Sequence, residues 1–80
     1  MQAMAGIIRF PDELGQLLRE RREALRLSKK ELAGRAGKVR EVIYRLEAGE
    51  DVTVSSLLAV LSALGMGLRI ERAGLPTQEE

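Results

Sequence analysis

Apolar residues in this chain recur in four runs at helical spacing, and turn-forming residues separate most of them. Leu14, Leu17, Leu18, Ala24 and Leu25 form the first run, behind an entry of Pro11, Asp12 and Glu13 that suits a first helical turn and its positive dipole end. This predicts a helix from Pro11 to about Arg26. Ser28 followed three residues later by Glu31 is a capping box, so a second helix starts there and turns Leu32, Ala33 and Ala36 inward. Gly37 supplies the left-handed residue that ends it. Val39, Val42, Ile43 and Leu46, at i, i+3, i+4 and i+7, predict a third helix closed by Gly49. Thr53 caps a fourth, with Val54, Leu57, Leu58, Leu61 and Leu64 on one side and Gly65 at its end.

After Gly65 the period changes. Met66, Leu68 and Ile70 alternate with Gly67, Arg69 and Glu71, which predicts a half-buried strand. A lone strand in an otherwise helical chain has unpaired edges, and the simplest partner is the same strand of a second subunit across a two-fold axis. The organisation predicted is an arm over residues 1–10, a helical domain over 11–65, a dimerisation strand over 66–72 and a disordered tail over 73–80. The arm contains Ile7–Phe10, too short to assign, which either pairs as an edge strand or packs against the domain.

The second and third helices fold across the Gly37 turn, with Ala33 and Gly37 small where two steeply crossing helices approach. Arg40, Glu41, Tyr44 and Arg45 then face away from the core, as in a helix-turn-helix that offers its second helix to a DNA groove. Charge strengthens this picture. From Arg19 to Arg45 ten basic residues stand against four acidic ones, a local net of +6, while the remainder of the chain carries −5. Basic charge coincident with the motif is the footprint of a polyanion-binding face, where charge alone is equally a solvated surface.

Composition narrows the alternatives. Eighty residues form one small domain that buries only about 60% of its unfolded surface, so a partner subunit would add stability. There is no Cys and no His, which removes disulfides, Cys-based metal sites and every nucleophile–histidine or His-zinc chemistry. No enzyme activity, metal or cofactor is expected. Leu57–Leu61, the longest apolar run after the amino terminus, is far too short to span a bilayer, so no membrane partner and a cytoplasmic location are expected.

The order Leu-x-x-Arg-Arg-x-x-Leu, Leu-Ser-x-x-Glu-Leu-Ala-x-x-Ala-Gly, Ile-x-x-Leu-Glu-x-Gly and Leu-x-x-Leu-x-x-Ala-Leu-Gly resembles the phage repressor/Cro (Xre) helix-turn-helix family over Leu14–Gly65. The strand placed after Gly65 resembles the antitoxins of the HipB type. The resemblance implies an all-α, phage repressor-like fold with a C-terminal β-strand paired across a homodimer through Met66, Leu68 and Ile70. It also places the third helix in the major groove, with Arg40 as the first base reader, bidentate to guanine, and Arg45 as the second. Glu41 either accepts from cytosine N4 or holds Arg45 at i+4. Tyr44 stacks on a sugar or thymine methyl, bonds a phosphate, or simply packs over an Arg stem. Lys29, Lys30 and Lys38 are assigned to phosphates. Arg22 and Glu47 are assigned to a structural ion pair between the first and third helices.

Two segments depart from the family pattern. Lys38 and Val39 replace an apolar residue and a Ser or Thr, so the third helix lacks a side-chain cap, a deficit of about 1 kcal/mol unless Val39 folds inward. Glu50 and Asp51 make the following loop acidic where relatives are often basic. The function expected is a homodimeric repressor of double-stranded DNA on a near-palindromic operator, in the setting of an antitoxin with a cognate toxin or as a free-standing regulator. The alternative is a protein-interaction module that keeps the shape without binding DNA.

Overall fold

Four helices form along the chain: α1 (Pro11–Ala24), α2 (Lys29–Ala36), α3 (Arg40–Glu47) and α4 (Val54–Ala63). They belong to a computed structural model that describes residues 7–74. The outer parts of the predicted arm and tail, residues 1–6 and 75–80, lie outside the described residues. Helix α1 packs on α3, and α2 packs on both α3 and α4, around a core of Leu18, Leu27, Leu32, Ala33, Ile43, Leu46, Val60, Leu61 and Leu64.

Helix α1 starts at Pro11 with Asp12 and Glu13 in its first turn, and side-chain caps start two of the other three helices. At α2, Ser28 Oγ accepts from the Glu31 N–H at 3.0 Å while Glu31 Oε1 accepts from the Ser28 N–H at 2.8 Å, completing the capping box. At α4, Thr53 Oγ1 accepts from the Ser56 N–H at 3.1 Å. Helix α3 begins at an extended Val39 whose side chain makes no cap and is 68% exposed, so Val39 does not fold inward.

All four helices end alike, in a Schellman motif. The closing N–H groups of Leu27, Lys38, Glu50 and Met66 donate to the carbonyls of Arg22, Ala33, Arg45 and Leu61 at 3.1, 2.9, 2.8 and 2.8 Å. The residue before each is left-handed, a glycine at positions 37, 49 and 65 but an arginine, Arg26 (φ 59°), at the first. Left-handed Arg26 ends α1 at Ala24, two residues before it, as Gly49 and Gly65 end α3 and α4. Without a glycine to mark the stop, the sequence pattern carries the helix to about Arg26.

The inward stripe of α1 differs from the one its leucines suggest. Gly15, Leu18 and Arg22 are buried and Leu14 is half-buried, whereas Leu17, Ala24 and Leu25 are exposed. In α4 the buried side runs through Leu57, Val60, Leu61 and Leu64, leaving Val54 and Leu58 exposed. The small residue required at a close crossing is Gly15, and Gly37, although left-handed, has open space around it. A Cβ on Gly15 would collide with the Leu46 carbonyl oxygen and lie 2.8 Å from that of Glu47.

Residues 66–74 follow α4 without helix, and the single chain contains no strand among its described residues. A strand that pairs only with a second copy has no partner within one chain. Ile7 and Ile8 form no strand and line a groove beside this segment while remaining exposed, and Arg9 Nη2 donates to the Ala73 carbonyl at 3.2 Å.

Two substitutions test these constraints. Gly15→Ala should destabilise the fold by about 2–3 kcal/mol in urea denaturation despite the higher helix propensity of Ala, because two backbone carbonyls stand in its way. Arg26→Gly should raise stability by about 0.5–1 kcal/mol by relieving the left-handed strain, and a lower midpoint would show that Arg26 has a compensating contact.

Candidate nucleic-acid interface

Burial of Ile43 and Leu46, with Val42 half-buried, fixes the rotation of α3 about its axis. Arg40, Glu41, Tyr44 and Arg45 consequently lie on its exposed side, as two i, i+4 pairs in adjacent rows. The first turn of α2 comes against this face. Lys29 is half-buried, with Nζ 4.3 Å from the centre of the Tyr44 ring, and the Arg40 guanidinium carbon lies 5.9 Å from the same centre. Both cations are thus within cation–π range of the one ring, Lys29 well inside it and Arg40 at its outer limit. Of the packings considered for Tyr44, contact with cations is present, with Lys29 nearer than Arg40.

The two arginines of α3 are in different states. Arg40 is exposed and has no ion pair among the described residues. Arg45 lies between two carboxylates, its Nε 3.4 Å from Glu41 Oε2 and its Nη1 4.0 Å from Glu50 Oε1. Glu41 therefore holds Arg45 at i+4 in the free chain. Lys30 is exposed in the first turn of α2 and Lys38 is half-buried in the turn before α3.

Other cations counted in the basic segment serve the scaffold. Arg22 Nε and Nη2 meet the two oxygens of Glu47 at 2.6 and 3.0 Å, and Nη1 donates to the Leu27 carbonyl at 2.9 Å. One buried guanidinium therefore ties α1, the end of α3 and the α1–α2 turn together. Its pKa is raised, first by the hydrogen bond to Glu47, against the opposing effect of burial. Arg21 Nε donates to the Leu64 carbonyl at 3.0 Å at the end of α4, where a cation also suits the helix dipole. Arg19 pairs with Glu23 at 3.1 Å on the surface.

Arg21 and Glu50 are participants that sequence reasoning did not assign. Arg21 reaches a turn carbonyl 43 residues away, which no local spacing marks, whereas Glu50 lies five residues after Arg45, brought back to it by the turn that closes α3. The Glu31 carboxyl, whose pKa is lowered chiefly by the hydrogen bond from the Ser28 N–H, belongs to the α2 cap. Among the described residues no group of three potential metal-ligating side chains is clustered, and no helix is long and apolar enough to cross a membrane.

Residues 13–75 match the model of the helix-turn-helix domain family, and the chain belongs to that family. Among solved structures it is similar in fold to the HipA–HipB–O2–O3 complex, at 18% identity and TM-score 0.79, covering 88% of this chain and 100% of that one. It is similar also to HipB in a variant complex with an O2 20mer, at 19% identity and TM-score 0.80, covering 89% of this chain and 100% of that one. Hydroxypropylphosphonic acid epoxidase from S. wedmorenis shares 27% identity and a TM-score of 0.62 over 72% of this chain but 31% of its own. No curated protein matches the chain.

Removing one partner of the Arg22–Glu47 pair leaves a buried charge uncompensated. Glu47→Ala should destabilise the domain by about 3 kcal/mol, and replacing both residues with Arg22→Met and Glu47→Leu should recover much of the loss in the same denaturation assay.

Proposed function

We propose that this chain is a sequence-specific DNA-binding transcriptional repressor that acts as a homodimer on a near-palindromic operator, in the setting of a toxin–antitoxin pair. The carrying observation is the exposed face of α3, where Arg40, Glu41, Tyr44 and Arg45 stand in two rows with Lys29 of α2 against them. Family membership and the HipB-like fold support the same reading. In it, Arg40 and Arg45 read guanine, Glu41 and Tyr44 complete the base contacts, and Lys29, Lys30 and Lys38 hold phosphates. The reading gives the chain no catalytic role and a cytoplasmic location.

The second copy is argued from apolar surface. Leu68 is 53% exposed and Ile70 is 87% exposed, and with Met66, Ile7, Ile8 and Leu17 they border a groove of about 580 Å³ beside the end of α4. Pairing of the 66–72 segments across a two-fold axis would cover this surface and set two α3 helices at successive major grooves, about 34–36 Å apart. The toxin partner in this reading is supported by the likeness in fold to a complex that contains HipA with HipB. The acidic Glu50 and Asp51 and the uncapped α3 favour the second reading, an interaction module that does not bind DNA.

Titration of fluorescent duplexes at two salt concentrations separates these readings. DNA binding requires an affinity that falls steeply with salt, and no affinity at low salt leaves the interaction module. Arg40→Ala should reduce discrimination between sequences by about 5- to 150-fold, whereas Lys29→Ala should weaken all duplexes alike and lower the salt slope by about 1. Ile70→Glu should turn a dimer into a folded monomer by light scattering and circular dichroism. A dimer that survives it would put the interface elsewhere, along α4 or the arm.

A further inference from the structure

The two arginines of α3 differ in how freely they can reach a ligand, and the difference comes from outside the helix. The Glu50 N–H donates to the Arg45 carbonyl at 2.8 Å as part of the turn that closes α3. That backbone bond brings Glu50 back beside Arg45, with its carboxylate 4.0 Å from Nη1 and that of Glu41 3.4 Å from Nε of the same guanidinium. Arg45 is 47% exposed at its side chain and Glu50 61%, so the contact is open to solvent and can break without disturbing the core.

We propose that Glu50, with Glu41, latches Arg45 against the recognition helix and releases it only where a guanine is in reach, so that the pair of carboxylates suppresses binding to unrelated DNA. The inference rests on the DNA-binding reading and adds a specificity-determining residue, Glu50, to it. The balance of interactions gives the latch its selectivity. An exposed ion pair shifts an equilibrium by a factor of about 1.4 to 5. A single phosphate contact by Arg45 in a loosely seated, unspecific complex is of the same order, so nothing is gained by opening the latch there. Bidentate pairing with guanine O6 and N7 discriminates by a factor of about 5 to 150, enough to displace both carboxylates. Arg40, free of any such pair among the described residues, remains available for the first encounter with either kind of site.

The test is a double-mutant cycle between Glu50→Gln and Arg45→Met in the full chain. The probes are a preferred duplex, selected from a random pool by the wild-type chain, and a scrambled duplex of equal length. Glu50→Gln should tighten the scrambled duplex by about 1.4- to fivefold, tighten the preferred duplex by less, and lose its effect in the Arg45→Met background. Equal tightening in both backgrounds would mean that Glu50 repels phosphates directly, and no tightening in either would mean that it is idle; both results overturn the latch. A wild-type chain with salt-dependent duplex binding but no coupling removes the latch alone, whereas a wild-type chain that binds no duplex removes the DNA reading and the latch with it. Without DNA, the Arg45 Nε–H resonance supplies an independent readout. Because Glu50 lies against Nη1 and Glu41 against Nε, that resonance should shift in Glu41→Gln. The Nη–H resonances should shift and exchange faster with water in Glu50→Gln, and unchanged Nη–H resonances in Glu50→Gln count against the latch.

Discussion

The fold depends on the crossing of α1 over the carboxyl end of α3. Gly15 lets the α1 backbone lie against the Leu46 and Glu47 carbonyls, and about two turns further along the same stripe Arg22 grips the Glu47 carboxylate with two nitrogens. A crossing this close admits no Cβ, and a buried carboxylate admits no neutral neighbour without loss. Because the third guanidinium nitrogen binds the Leu27 carbonyl, the same side chain also fixes the turn into α2. The orientation of the α2–α3 pair, and with it the exposed face of α3, is therefore set from α1.

Helices α2 and α3 contain eight residues each and α4 ten, lengths at which an isolated helix is marginal in water. Burial of Leu32, Ile43 and Val60 against one another's elements supplies most of what holds them helical, and the recurring Schellman closures stop each at a defined residue. Helix α3 shows the division most plainly. It lacks a side-chain cap at Val39, yet it forms because Ile43 and Leu46 are locked in the core.

A local net charge of +6 does not describe a uniform basic surface. Arg21 and Arg22 are engaged with a helix end and a buried carboxylate, and Arg19 and Arg45 have acidic neighbours. Around Tyr44, by contrast, Lys29 and Arg40 are brought together by the ring rather than by an opposite charge, so their field stays directed outward. Local charge density on the α3 face is consequently a property of the packing of α2 against α3, and a count along the chain gives only its upper bound.

By itself the sequence determined the number of helices, the caps at Ser28 and Thr53, the glycine stops and the exposed quartet on α3. Each of these is written in residues within a few positions of one another, where periodicity and backbone chemistry act. It also carried the Arg22–Glu47 assignment, through family resemblance rather than spacing. Tertiary structure alone decided which stripe of α1 is buried, since a glycine and an arginine, Gly15 and Arg22, hold positions that a count of apolar residues passes over. Beyond the i, i+4 pair of Glu41 with Arg45 that spacing already offers, it decided that Arg40 stands free of the ion pairs among the described residues and that Lys29 belongs with Tyr44. Those outcomes depend on distances between separate elements, and no local pattern in a chain records the angle at which two helices will cross.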